Sequence, residues 1–234
     1  MEENLSLIIK GRLKLLADKV PACNIAADIG TDHAYIPIYL IQQHICKKAI
    51  ASDVRIGPIN AADKNIGMYN MKDSIETRLG SGLATLSENE AEVIIIAGMG
   101  GRLITELLEA DIQKAWSASA LILQPMNDLD VVRKWLFDHG FDIYDEEMTA
   151  EDSKYYCVIS AKYDGKVRSY KDFELQVGKK LVEKRDPLLK PYCQIKVSQI
   201  NKVLKQLEQM EDNSQLKDYY SELRDNYLKL IEGQ

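Results

Sequence analysis

Residues 27–40, ADIGTDHAYIPIYL, decide how this chain is read. An apolar run from about Ile25 stops at Asp28, turns at Gly30, and leads into a segment whose Pro37 suits the first turn of a helix, where its missing N–H has no intrahelical partner. A strand, a turn carrying Asp28, Gly30, Asp32 and His33, and a helix from about Tyr35 make the building unit of a parallel sheet.

The same alternation extends in both directions. Upstream, residues 4–19 place Leu5, Ile8, Ile9, Leu13 and Leu16 near helical spacing, and Pro21 ends that helix. Downstream, KKAIASDV (47–54) is a second strand ending at Asp53, GPINAADKNIGMYNM (57–71) a helix, and SIETRLGSGL (74–83) a short strand with its exit loop. AEVIIIAGMGG (91–101) is apolar throughout its strand, as expected for one covered on both faces, and RLITELLEADI (102–112) leaves it as a helix. SALILQP (119–125) is a fifth strand, DLDVVRKWLFDHG (128–140) a helix closed by Gly140, and residues 141–163 an antiparallel strand pair around an acidic turn.

Strand patterning ceases beyond Gly165, so the chain divides into an α/β domain, 1–165, and a helical domain, 166–234. Ile200, Val203, Leu207 and Met210, then Leu216, Tyr220, Leu223, Tyr227 and Leu230, form two apolar stripes. The polar break at 211–214 is short enough only for a reversal, which predicts an antiparallel helical hairpin.

Charge follows the same division. The net charge is -6 over 234 residues, yet residues 166–205 are strongly basic through Lys179, Lys180, Lys184, Arg185 and their neighbours. A local block of this kind is a footprint for phosphates whatever the overall sign, although a solvated helix face would read the same way. No apolar stretch is long enough for a membrane span and the N-terminus has no signal-peptide core, which suggests a cytoplasmic protein. The 4 cysteines and 3 histidines are scattered without a CxxC pair, so reduced structural thiols are expected and no metal.

In open parallel sheets, ligands bind beyond the carboxyl ends of the strands. Those ends hold Asp28, Gly30, Asp32 and His33, then Asp53, then Gly80-Ser81-Gly82, then AGMGG (97–101). Asp53 suits a ribose diol, though taken alone it could equally be a surface cap. GxGxxG is missing because Asp32 and His33 stand where further glycines would let a pyrophosphate approach, and no P-loop is present. A turn offering carboxylates favours a ligand with a cationic, hydrogen-bond-donating end, such as the ammonium and sulfonium of S-adenosylmethionine.

ADIGTDHAYIPIYL, IIIAGMGGRLI and LILQP, in that order, resemble the bacterial tRNA (adenine-N1)-methyltransferases that modify adenine 22, and the resemblance spans most of residues 12–163. It implies a Rossmann-like class I methyltransferase sheet of seven strands, mostly parallel with an antiparallel last strand, and a C-terminal helical domain. It also implies S-adenosylmethionine as cofactor and tRNA as substrate. It places Asp28, Gly30, Asp32 and His33 around the methionine moiety, Asp53 with Val54 at the ribose, and Ser81 and Gly82 near the adenine. Gly98, Met99 and Gly100 would border cofactor and target base. By their own position, Gln124 at the end of the fifth strand and Asn127 beyond Pro125 could hydrogen-bond the edge of the base or equally cap the following helix, and Tyr35 and Lys154 could position substrate or simply pack. Ser81 stands where relatives can carry an acid, and Met126 follows LQP where the family often has asparagine.

Asp32, Gly98, Met99 and Gln124 are the candidates nearest the chemistry. Adenine N1 attacks through a neutral lone pair, so no general base is required, and alignment and desolvation carry the reaction. A nicotinamide-dependent oxidoreductase and a non-catalytic RNA-binding protein on the same fold are the competing readings, and a monomer is the expected state.

Overall fold

The computed structural model describes residues 6–209 and 214–233. Its centre is a seven-stranded sheet built from β1 (Cys23–Ile29), β2 (Cys46–Asp53), β3 (Ile75–Leu79), β4 (Val93–Met99), β5 (Ala120–Pro125), β6 (Phe141–Glu151) and β7 (Lys154–Tyr163). The spatial order is β3-β2-β1-β4-β5-β7-β6. β1 to β5 run parallel, whereas β7 pairs antiparallel with both β5 and β6. The order reverses beside β1, between β2 and β4, where a parallel sheet opens a crevice.

Strand composition explains the layers. Ala26, Ala49, Ala51, Val93, Ile95, Ala120, Ile122 and Val158 join one buried cluster with residues of α1 (Gly11–Asp18), α2 (Tyr35–Gln42) and α3 (Ile56–Met68). Their alternates Ala27, Ile50, Ile94, Ile96, Leu121 and Leu123 are equally buried and point to the other face. That face takes α4 (Gly101–Ala110), α5 (Ile112–Ser117) and α6 (Leu129–Asp138). The apolar runs of β4 and β5 follow from burial on both sides. Arg133 of α6 is buried nonetheless, its Nε 2.7 Å from Glu146 Oε1 on β6, so α6 is tied to the antiparallel end of the sheet by an ion pair.

The first helix is shorter than its periodicity predicts. Residues 6–10 are not helical, Lys10 is extended, and α1 begins at Gly11 with φ +52°. A tertiary contact sets that start: the Glu151 carboxylate, at the end of β6, accepts the Arg12 backbone N–H at 2.6 Å and fills the space a Cβ on residue 11 would need. Leu5, counted in the same stripe, lies outside the described residues. The segment read as one helix after β4 breaks at Asp111 into α4 and α5.

Contacts divide the chain into two compact units, the division falling between Tyr170 and Lys171. The second holds α7 (Asp172–Val177), α8 (Lys179–Glu183), α9 (Leu189–Leu207) and α10 (Ser214–Gly233). A groove lined by Asn201, Lys205 and Glu208 at the C-terminal end of α9 and by Lys217, Ser221 and Arg224 in the first half of α10 brings those two ends together, as an antiparallel pair requires. Ile200, Leu207 and Tyr227 of the stripes are buried and Val203, Tyr220, Leu223 and Leu230 half-buried, while Leu216 is exposed. Met210 and residues 211–213 lie outside the described residues.

Among the described residues no helix is long and apolar enough to cross a membrane.

Candidate active site

A cleft of about 490 Å³ opens at the carboxyl ends of β1, β2 and β4, lined by residues that include Arg12, Asp28, Gly30, Asp32, His33 and Gly98. Backbone constraints shape it. The N–H groups of Gly30 and Thr31 both donate to the Ser52 carbonyl, at 2.7 and 2.8 Å, which folds the turn after β1 back onto the end of β2. Gly30 takes φ +81°, and a Cβ there would run into Met99 Cε. Ala34, at φ +55°, is held by its N–H to Thr31 Oγ1 at 3.1 Å and lets α2 start directly at Tyr35.

Two carboxylates are buried at these strand ends. Asp28 is 8% exposed and Asp53 5%. Burial pushes the Asp28 carboxyl up to about 6, with a hydrogen bond from Thr31 acting against the shift and the charge of Asp53 adding to it. Asp53 Oδ1 accepts the Arg55 backbone N–H at 2.7 Å and its Nε at 3.1 Å. Asp32 is exposed, and His33 Nε2 lies 3.3 Å from its Oδ2. The His33 and Tyr35 rings stack at 5.2 Å with planes 22° apart, presenting an aromatic surface at the mouth.

Of the residues singled out in the sequence, Asp28, Gly30, Asp32, His33, Tyr35 and Gly98 line this one cleft. Asp53 carries the Arg55 that joins them. Val54 and Ser81 are exposed nearby, and the Gly80 N–H donates to the Asp53 carbonyl at 3.0 Å, so residues 80–82 lie alongside the end of β2. Met99 backs the turn at Gly30. Lys154 is exposed at the start of β7, opposite Glu151. Lys179, Lys180, Lys184 and Arg185 belong to the second unit, on or just after α8, with Lys179 and Lys180 flanking Glu183 at 3.9 and 2.9 Å.

Gln124 and Asn127 make their hydrogen bonds within the protein. Gln124 is 0% exposed. Its Nε2 donates to the Pro125 carbonyl at 2.9 Å, and its Oε1 accepts from Arg12 Nη1 at 2.8 Å, so the amide is spent inside the protein. Asn127 Oδ1 accepts the Gly101 N–H at 3.1 Å and so serves the first turn of α4, beside Gly100.

Arg12 is the group that sequence reading missed. Its guanidinium is fixed by Gln124, stacks over the Tyr156 ring at 5.5 Å, and lies 3.6 Å from where a Gly98 Cβ would stand. Nothing local marks it, because its place depends on β5 and β7, more than 100 residues away in the chain. The cleft therefore brings Arg12, fixed by Gln124, and Arg55, fixed by Asp53, together with the carboxylates of Asp28 and Asp32.

A parallel sheet with an antiparallel final pair and a cleft lined by charged side chains at its switch point defines a class I methyltransferase. The family described as "Methyltransferase domain" accordingly matches residues 9–159. The chain is 33% identical to the tRNA (adenine(22)-N(1))-methyltransferase of Bacillus subtilis over 94% of each chain. The structure of Streptococcus pneumoniae Sp1610 in complex with S-adenosyl-L-methionine is 32% identical and superposes with a TM-score of 0.86, over 96% of this chain and 100% of that one. Mycoplasma capricolum TrmK in complex with S-adenosyl-homocysteine is 28% identical with a TM-score of 0.82, over 96% and 98%. The chain belongs to the tRNA (adenine(22)-N(1))-methyltransferase family.

The raised Asp28 carboxyl has a stability signature. Its usual value is 3.8 and its folded value about 6, so between those limits the folded chain binds more protons than the unfolded one, and stability falls as pH rises through that window. Asp28→Asn removes this cost. Thermal melts of the ligand-free protein should show the variant more stable than wild type at about pH 7.5, by about 2–3 kcal/mol, with the gap closing as pH falls towards 4. A variant less stable at neutral pH would contradict this account of Asp28.

Proposed function

We propose that the cleft binds S-adenosylmethionine and that the chain transfers its methyl group to N1 of adenine 22 in tRNA. The observation that carries this reading is the pairing of Asp28 and Asp53 on neighbouring strand ends, with Arg12 fixed in the cleft that Asp28 lines, in a chain of this family.

The charges match a zwitterion followed by a nucleoside. Asp28 and the exposed Asp32 suit the ammonium of the methionine moiety, with His33 beside Asp32. Arg12 suits its carboxylate, and the bare backbone at Gly30 and Gly98 allows the chain of the ligand to pass close. Asp53 has Oδ1 engaged by Arg55 and no hydrogen bond on Oδ2 among the described residues, which leaves an acceptor for the ribose diol. Val54, Ser81 and Gly82 then flank the adenine.

The bound cofactor supplies a methyl group on a sulfonium, transferable in one in-line displacement. The protein's share is geometric. Gly98, Met99 and Gly100 border the path of the incoming base. Gln124 keeps Arg12 in one orientation, and through it the methionine end of the ligand. Asn127 keeps the turn into α4 closed. Adenine N1 brings its own lone pair, so no side chain has to remove a proton, and exclusion of water with alignment of N1 dominates the rate. The methylated ring carries a positive charge that Asp32 offsets electrostatically.

N1 lies on the Watson–Crick edge, so the nucleotide must be unpaired or extruded. The stacked His33 and Tyr35 rings offer it, or its neighbour, a π-face at the mouth. The basic residues around α8 supply sequence-independent phosphate contacts, with Lys154 as a further cation on the first unit.

Methyl incorporation into unmodified tRNA, mapped to the nucleotide, tests the activity: label at N1 of adenine 22 is expected, and no transfer would overturn it. Arg12→Ala tests the site within it. Affinity for S-adenosylhomocysteine should fall about 10- to 100-fold, while affinity for 5′-methylthioadenosine, which lacks the amino-acid end, should not change. Equal losses for both would count against Arg12 as the carboxylate partner.

Replacing Lys179, Lys180, Lys184 and Arg185 together by alanine should weaken tRNA binding and flatten its dependence on salt. Cofactor affinity, measured by calorimetry, should stay as in wild type, and a loss there would count against separate sites.

A further inference from the structure

At the opposite ends of the strands that carry Asp28 and Asp53, the fold brings two cysteines together. Cys23 opens β1 and Cys46 opens β2, and they are in-register partners of the parallel ladder. Partners in such a ladder project their side chains from the same face, with strands about 4.7–4.9 Å apart. A disulfide needs Cα atoms about 4.4–6.8 Å apart, a window that this strand spacing meets. Both thiols are free, Cys23 half-exposed at the surface and Cys46 buried behind it. The other two cysteines sit elsewhere, Cys157 buried in β7 and Cys193 buried in α9.

We propose that Cys23 and Cys46 form a vicinal dithiol that a peroxide oxidises to an intramolecular disulfide joining β1 to β2. The neighbouring Cys46 thiol holds Cys23 below its usual value, against the opposing effects of burial and Glu92, while Cys23 and burial together push Cys46 up. Cys23, the more accessible of the two, is the nucleophile, and the buried Cys46 is the resolving thiol. The Cys23 thiolate attacks one peroxide oxygen and the O–O bond breaks, giving a sulfenic acid and a hydroxide that takes up the thiol's proton as water. The Cys46 sulfur then attacks the Cys23 sulfur, the S–O bond breaks, and the hydroxyl leaves with the Cys46 proton as a second water. Two thiols lose two electrons in all, and one peroxide gains them.

The bond would close the segment holding the whole turn from Asp28 to Ala34 and helix α2. Such a closure restricts the unfolded chain and raises Tm.

The test uses the full reduced chain, treated with hydrogen peroxide, then unfolded in an alkylating reagent and analysed by mass spectrometry. Expected is the loss of two hydrogens, a linked peptide pair containing Cys23 and Cys46, alkylated Cys157 and Cys193, and a Tm raised by several degrees that thiol reductant reverses. Cys46→Ser should stop the reaction at a Cys23 sulfenic acid that a dimedone probe captures. Cys23 and Cys46 both recovered alkylated after peroxide, a linkage to a different cysteine, or a lowered Tm on oxidation would overturn the proposal.

Discussion

Two carboxylates, Asp28 and Asp53, are held out of water on the ends of adjacent strands, and the rest of the cleft answers to that constraint. Burial of charge is costly without a partner. Asp53 has Arg55 on one oxygen, whereas Asp28 has, among the described residues, only the Thr31 hydroxyl, and burial pushes its carboxyl up to about 6. The ligand-free protein thus keeps a destabilising group at neutral pH, the kind of compromise expected where binding is the gain.

Everything nearby preserves the spacing of that pair. The Gly30 and Thr31 amides clip the turn to Ser52, next to Asp53, which ties the turn after Asp28 to the strand end that carries Asp53. Met99 closes the floor under Gly30, which couples the end of β4 to the same turn. On the far side Glu151 fixes the start of α1, and Gln124 with Tyr156 fixes the Arg12 head group. The antiparallel β6 and β7, remote from the parallel strand ends in sequence, thereby set the position of the cation. For a methyl transfer between bound partners, this rigidity is most of what a protein can contribute.

The strand ends were legible in the sequence because a parallel sheet puts its ligands there, and the pattern of apolar runs located Asp28, Gly30, Asp53 and Gly98 without any tertiary information. The missing glycines after Gly30 pointed from dinucleotides towards a cationic ligand. What stayed hidden depends on contacts between distant segments. Arg12 looks like one more charge on an amphipathic helix until α1 is laid beside β6. Gln124 ends a strand, as a ligand-binding residue would, but its complete burial is a property of packing. The short α1 and the Cys23–Cys46 neighbourhood likewise follow from a carboxylate and a strand register that local periodicity does not encode.

We propose that an ionised Asp28, buried beside Asp53, receives the cationic end of S-adenosylmethionine. Calorimetric titration of wild type between pH 5 and 7 tests it most directly. With a carboxyl that titrates at about 6 and binds only when ionised, Kd should be about tenfold weaker at pH 5 than at pH 7, and Asp28→Asn should show a weak, flat profile. A wild-type affinity that does not change across that range would contradict the account.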